Sequence, residues 1–558
     1  MTAAPEGAAV SGATAVGGAG VVADPEAWRS ATNPVLPGMH PDPSVCRVDG
    51  PDGTWFYVVT STFELVPGLP VHRSRDLVHW EPVGHVLTGA LSYDGVGDSG
   101  GLYAPTIRHD GARFLVVCTH LGGPDGGSGT FVTTAVDPAG PWTPPVWWEG
   151  VDGVDPSLLL DDDGRVWAHG ARGARRPAWP DQGEVWVREV DPATLRLHGP
   201  EHVVWRGAAV GATWTEGPHL YRHGEHVVLL AAEGGTERHH AVVAARASSP
   251  LGPYEACPDN PVLTHRALGP GAAVVNVGHA DLVEAPDGSW WALVLASRLV
   301  GGADLLGRET FLVPVTWHDG WPVLAPGVGT LVPEPGGPGG VRRQDDGQED
   351  GQDEAWVAVR RLPGAVADLG GGHRGGTVRL RAGAGLEAAL PAFVGRRLTS
   401  PWARLTLGLP ERDAGVPADD EVGLALRLSS RQWVTAGVRD GRLVVTSCRD
   451  GVPEAVADVV AGVAVGGGGT VVVALEGARA EVAWSPGGRG AGTEGDGPAG
   501  AGATLVPVAA LDVRHLSPSH AGGFVGVVYG PYATGTGTHL VGPLHERTPH
   551  PAAGRSAG

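Results

Sequence analysis

Apolar and polar positions alternate with a period of two through most of the 558-residue chain, and stretches with the 3.6-residue helical period are scarce. Five stretches in the first 330 residues share one grammar. They are "DPSVCRVDGPDGTWFYVVTS" from Asp42, "APTIRHDGARFLVVCTH" from Ala104, "DPSLLLDDDGRVWAHG" from Asp155, "GPHLYRHGEHVVLLAAEG" from Gly217 and "HADLVEAPDGSWWALVLAS" from His279. A small residue or proline leads into a short alternating strand, then a turn, then a second strand rich in aromatic and β-branched residues. The turn carries Asp-Gly in four cases and His223-Gly224 in one, which predicts two-residue hairpins.

Aligned on Pro43, Pro105, Pro156, Pro218 and Ala280, the units are spaced 62, 51, 62 and 62 residues apart. Five β-units at this period predict a radial array, a five-bladed β-propeller, with a sandwich as the structural alternative. In a propeller the innermost strands all start at one end of a central funnel. The residues just before the aligned positions are Asp42, Ala104, Asp155, Gly217 and His279, and Glu216 stands one step earlier in its unit. Asp42, Asp155, Glu216 and His279 are therefore expected at one mouth. Asp42 sits between two prolines, which fix their own φ and bias the preceding residue towards extended backbone, so its carboxylate is expected on a stiff mount.

The grammar stops near residue 334. Residues 335–354, "PGGPGGVRRQDDGQEDGQDE", are Gly/Pro-rich and then acidic, as in a solvated linker. Short alternating runs resume over 355–548, among them "WARLTLGL", "EVGLALRLS" and "WVTAGVRDGRLVVTSC", and predict an all-β second domain, a β-sandwich. The repeated unit is thus placed at 32–334. Residues 1–31 and 549–558 read as flexible tails and 485–503 as a mobile loop.

Composition narrows the function. A net charge of −21 argues against nucleic acid or an anionic membrane as partner. All 40 basic residues are arginine, which removes Schiff-base chemistry and a phosphate-loop lysine. The four cysteines (Cys46, Cys118, Cys257 and Cys448) are far apart and form no CxxC, so zinc-site spacing is absent. No run of about 18 apolar residues is present, and the first residues do not read as a signal peptide, so a cytoplasmic location is expected. Homo-oligomerisation is left open.

Three carboxylates at one mouth suit glycoside hydrolysis, in which one acid protonates the leaving oxygen and another activates water or attacks the sugar. Clustered like charges in a partly dry funnel raise at least one pKa. A cation site built from the same carboxylates is the alternative. Nineteen tryptophans are many for this length. Trp148, Trp205 and Trp214 near the starts of units are candidates for stacking on sugars or for filling the space between units. "GDSGG" at Gly97–Gly101 mimics a serine-protease nucleophile segment, but no matching histidine context exists.

These residues resemble glycoside hydrolase family 43 β-xylosidases and α-L-arabinofuranosidases over roughly residues 32–330, in "MHPDPSVCRV", "STFE", "GGLYAPTIRHDG", "GVDPSLLLDDDG", "TEGPHLYR", "NVGHADLVE" and "GRETFLVPVTWHDGWPV". The resemblance implies a five-bladed propeller and an inverting mechanism. It also implies Asp42 as general base, Glu216 as general acid and Asp155 as the carboxylate that orients the acid. Arg308 is implied at the substrate hydroxyls and Phe63 in the wall of the −1 subsite. His279 is implied near a hydrated axial cation, often calcium, that the chemistry itself does not require. "PAFVGRR" and "GFVGVVYGPYATGTG" resemble a concanavalin A-like C-terminal domain, although Leu398 and Thr399 stand where many relatives carry glutamines. The expected function is exo-acting removal of β-D-xylosyl or α-L-arabinofuranosyl residues from xylan- or arabinan-derived oligosaccharides. The alternatives are an arabinofuranosidase only, or a propeller that binds carbohydrate without cutting it.

Overall fold

The computed structural model describes residues 33–89, 91–122, 129–331, 356–369, 377–409, 420–459, 468–486 and 505–548. The tails expected at 1–31 and 549–558, the linker at 335–354 and the 487–503 part of the expected loop lie outside the described residues. The described chain is all-β apart from brief helical turns, and no helix among these residues is long and apolar enough to cross a membrane.

Five antiparallel sheets follow one another over residues 44–324. Their first strands are Ser44–Gly50, Gly101–His109, Val154–Leu160, Glu216–His223 and Val274–Glu284, and each sheet adds its later strands outward in chain order. Each first strand packs on the first strand of the next sheet, and the fifth packs on the first. Apolar clusters fill the spaces between sheets. Leu115 and Val117 meet Leu158 and Trp186, and Trp167 and Val187 meet Leu220 and Leu229. Trp148 and Trp205 are buried in these clusters, so both are packing residues.

One polar network ties all five first strands together. The buried Asp281 carboxylate accepts from the Ser44 hydroxyl (2.7 Å), both terminal nitrogens of Arg108 (2.8 and 3.1 Å) and the Tyr221 hydroxyl (2.5 Å). His219 Nδ1 lies 2.9 Å from Ser157 Oγ and 3.3 Å from Arg108. Every sheet contributes at least one of these residues. The first described residues are stapled to the fifth sheet, where Val35 N–H donates to Thr310 O (2.9 Å) and Asn33 donates to Leu312 O (2.8 Å).

Two local expectations are corrected. Only two of the five first hairpins have two-residue turns, Gly50 paired with Gly53 and His223 paired with His226; the others are longer. The Asp residues shape those longer loops through their side chains, as when Asp110 Oδ1 accepts from Ala112 and Arg113 N–H. Two-residue Asp-Gly hairpins occur instead in the C-terminal domain, at Asp440-Gly441 and Asp450-Gly451, with all four residues at positive φ. Nor is Asp42 extended. It has φ +54°, and its equivalents Ala104, Asp155, Gly217 and His279 have φ +29°, +55°, +54° and +44°. The stiff mount is a left-handed kink repeated at the start of every unit, with a register shift at that point in four of the sheets.

The C-terminal region packs an eight-stranded sheet, a five-stranded sheet and a three-stranded sheet around one core that includes Trp484, Tyr529 and Leu405. In Trp402–Leu409 every second residue is buried, the sandwich pattern read directly. The eight-stranded sheet does not stop at the domain boundary. Leu65–Val66 of the N-terminal unit pairs with Val357–Val359 and becomes its edge strand, and Met39, Phe63 and Leu65 join the sandwich core.

Candidate active site

The kinks bring Asp42, Asp155, Glu216 and His279 into one cluster whose charges act on one another, as the repeat predicts. Asp42 is buried; its Oδ2 accepts from Ser61 Oγ (2.7 Å) and its Oδ1 from Arg308 Nη1 (3.1 Å), with His279 Nδ1 4.0 Å away. Burial pushes this carboxyl up, but Arg308, His279 and the Ser61 hydroxyl together outweigh it and hold the pKa below the ordinary aspartate range. Ser61 Oγ also accepts from Ala104 N–H (2.7 Å), which fixes the hydroxyl between the first two sheets.

Asp155 Oδ2 accepts from Gly217 N–H (2.8 Å), the residue next to Glu216. Burial raises its pKa; His279 opposes the rise and Asp42 adds to it. Glu216 is pushed up to about 8, by burial first and then by the Asp155 and Asp42 charges, against which Arg308 works. One pocket therefore holds a carboxylate kept ionised and a carboxyl kept protonated near neutrality. Gly217 cannot carry a side chain here, because a Cβ would lie 2.7 Å from His279 Nδ1.

Arg308 also donates to Thr236 Oγ1 (2.9 Å), and its guanidinium lies over the rings of Phe63 (5.5 Å) and Phe524 (5.3 Å). Phe63 stacks on Phe524 (5.7 Å) and meets Tyr103 edge-on (5.0 Å). Phe524, Tyr103, Thr236 and Ser61 were not singled out in the sequence. Ser61 sits in "TSTFE" beside Phe63 and carries a local signal. Phe524 lies in the "GFVGVVYGPYATGTG" segment, but nothing there signals its place beside Phe63, because it arrives from the sandwich domain across more than 400 residues. Of the tryptophans considered for sugar stacking, Trp214 alone is open to solvent, at 49%, two residues before Glu216.

His279 lies beside both aspartates, at the place where the hydrated cation is expected. Its neighbour His219 (ring centroids 6.0 Å apart) faces the Arg108 guanidinium, which already supplies the cation paired with Asp281. Among the described residues no group of three or more His, Cys, Asp or Glu is arranged to hold a metal, so a hydrated cation there would draw its oxygen ligands mainly from water.

An all-β chain that sets a protonated and an ionised carboxyl in one pocket has the equipment of a glycoside hydrolase. Residues 31–322 match the model of glycosyl hydrolases family 43, and residues 355–543 match that of the beta xylosidase C-terminal concanavalin A-like domain. The chain belongs to glycosyl hydrolases family 43. It is 44% identical over 312 residues to a xylosidase/arabinosidase of Butyrivibrio fibrisolvens, covering 54% of this chain and 58% of that protein. It is 38% identical over 422 residues to a non-reducing end alpha-L-arabinofuranosidase of Bacteroides ovatus, covering 73% and 75%. The structure of a xylan beta-1,4-xylosidase from Bacillus halodurans superposes with a TM-score of 0.79 at 27% identity, over 93% of this chain and all of that one.

Proposed function

We propose that this protein is an exo-acting, inverting glycosidase that removes β-D-xylosyl or α-L-arabinofuranosyl residues from xylan- or arabinan-derived oligosaccharides. The observation that carries this reading is the opposed ionisation of Asp42 and Glu216 in one pocket. Asp42, ionised, acts as general base and takes a proton from water as the water attacks the anomeric carbon. Glu216, protonated near neutrality, gives its proton to the departing oxygen. Asp155 adds negative charge beside Glu216, which keeps the proton on, and holds the Gly217 amide so that the acid stays aimed. His279 steadies the charge on both aspartates. Arg308 Nε is buried without a hydrogen-bond partner among the described residues, a donor available to a sugar hydroxyl. The Phe63–Phe524 pair forms an apolar wall for the pentose, and Trp214, an exposed ring two residues before the acid, is available to stack on a sugar. In this reading the five sheets are the blades of a five-bladed propeller over residues 32–334, followed by a sandwich over 355–548.

The test compares hydrolysis of β-D-xylosyl and α-L-arabinofuranosyl oligosaccharides, whose departing oxygen needs a proton, by the wild type and Glu216→Ala, with proton NMR of the first product formed. Cleavage that is lost in the variant, with inverted configuration in the first-formed sugar, supports the assignment and identifies the sugar. Retained configuration overturns the roles of Asp42 and Glu216. Sugar binding without cleavage favours the non-catalytic propeller.

A further inference from the structure

The "GDSGG" segment, Gly97–Gly101, has no catalytic triad, yet its geometry is heavily constrained. Every polar group of Ser99 is engaged. Its N–H donates to Glu64 Oε2 (3.0 Å), its hydroxyl oxygen accepts from Phe524 N–H (2.9 Å) and its carbonyl accepts from the Tyr103 hydroxyl. Ser99 holds φ +58°, a conformation few non-glycine residues keep without support. Its neighbour Asp98 accepts only from the sandwich domain in these contacts: from Arg360 (3.0 Å), Arg427 (3.5 Å) and the Ser430 N–H (3.0 Å) and hydroxyl (2.5 Å). The glycines mark close approaches. A Cβ on Gly101 would lie 2.2 Å from Phe63 O, and one on Gly523 would lie 2.7 Å from Ser99 Oγ.

We propose that Gly97–Gly101 is a positioning segment, centred on Ser99, through which the sandwich domain sets the aromatic wall of the substrate pocket. The connection is continuous. Arg360, Arg427 and Ser430 hold Asp98, and Ser99 holds the Phe524 backbone and the Tyr103 hydroxyl. Phe524 and Tyr103 pack on Phe63, and the two phenylalanines lie under Arg308, which bonds Asp42. Glu64 completes it from the other side, its carbonyl accepting from Arg360 N–H (2.8 Å). The inference rests on the pocket being the pentose site proposed above. Ser99 acts on substrate through Phe524, so its removal loosens binding and leaves the bond-breaking groups in place.

The test is a double-mutant cycle with Ser99→Gly and Phe524→Ala. Glycine adopts the Ser99 backbone conformation without strain, so the variant loses the hydroxyl and keeps the fold. Ser99→Gly is expected to raise KM for the pentoside by about three- to tenfold, the size of one lost hydrogen bond, with kcat close to wild type. In the Phe524→Ala background the same change should add nothing further. Hydrogen exchange at the Phe524 amide should quicken in Ser99→Gly. An unchanged KM, an equal rise in both backgrounds or unaltered Phe524 exchange overturns the proposal. If the wild type cleaves no pentoside, the proposed function falls instead, and the exchange measurement alone still decides the contact.

Discussion

Asp42 and Phe524 reach the same pocket by opposite routes. Asp42 stands at a position the chain repeats five times, each time at a left-handed kink opening a first strand. Phe524 stands on an irregular segment of the sandwich, placed by single contacts such as Ser99 Oγ to its N–H and Leu305 O to Val527 N–H (2.8 Å). The ring of sheets supplies the ionisable groups. The sandwich supplies part of the wall around them and the pairing strand that covers Leu65–Val66. In the proposed reading, reaction chemistry sits on the repeated architecture and the fit to the sugar draws on the unrepeated one.

The comparison is broken most severely by removing the sandwich. A chain ending at residue 354 leaves the Leu65–Val66 edge and the apolar face of Met39 and Phe63 without cover, and is expected to aggregate on size-exclusion chromatography and to show no pentosidase activity. A monodisperse, active fragment with wild-type KM would show that the ring is self-sufficient. Next in size is Glu216→Gln, for which kcat on natural oligosaccharides should fall by about 10²–10⁴-fold. The loss should shrink on aryl glycosides whose leaving group needs no proton, and equal losses would remove Glu216 from the acid role.

The pH profile sharpens the same division. Glu216 must be protonated, so kcat/KM should fall as pH rises through about 8, and Asp42 must be ionised, so the acidic limb should lie below the ordinary aspartate range. Arg308→Gln removes the main cation that offsets the burial of Asp42 and should move the acidic limb upward, as read from kcat/KM against pH. The smallest effect on catalysis is expected deep in the sandwich. Trp484→Ala should cost about 3–5 kcal/mol in chemical denaturation while KM and kcat at 20 °C stay near wild type, since the ring is buried over Gly469 within the five-stranded sheet of the sandwich.

The ring of sheets and its acidic residues were legible because a repeat turns sequence position into spatial position. Once Asp42, Asp155 and His279 share one place in the grammar, their meeting follows without any pair contact being known. The kink at that place was not legible, because the proline after Asp42 favours extended backbone locally and the ring closure overrides it. Turn lengths were misread for a related reason. Asp-Gly reports a turn, but the Asp110 side chain stabilises a longer loop as readily as the Asp440 backbone stabilises a tight one. The continuous sheet between the two regions and the placement of Phe524 carry no periodic signal. They depend on single contacts between segments hundreds of residues apart.

The staple between Asn33 and the fifth sheet also sets a schedule for biosynthesis. Asn33 finds its partner only after Leu312 has been made, 279 residues later. At about 5–20 residues per second that interval lasts about 15–55 s. Through it the nascent chain carries an unclosed ring with unpaired strand edges, and Asp281, which gathers the other inner strands, arrives close to the end. Assembly of the pocket is therefore a late event on the ribosome, and it is complete only once Phe524, a further 212 residues on, has also been made.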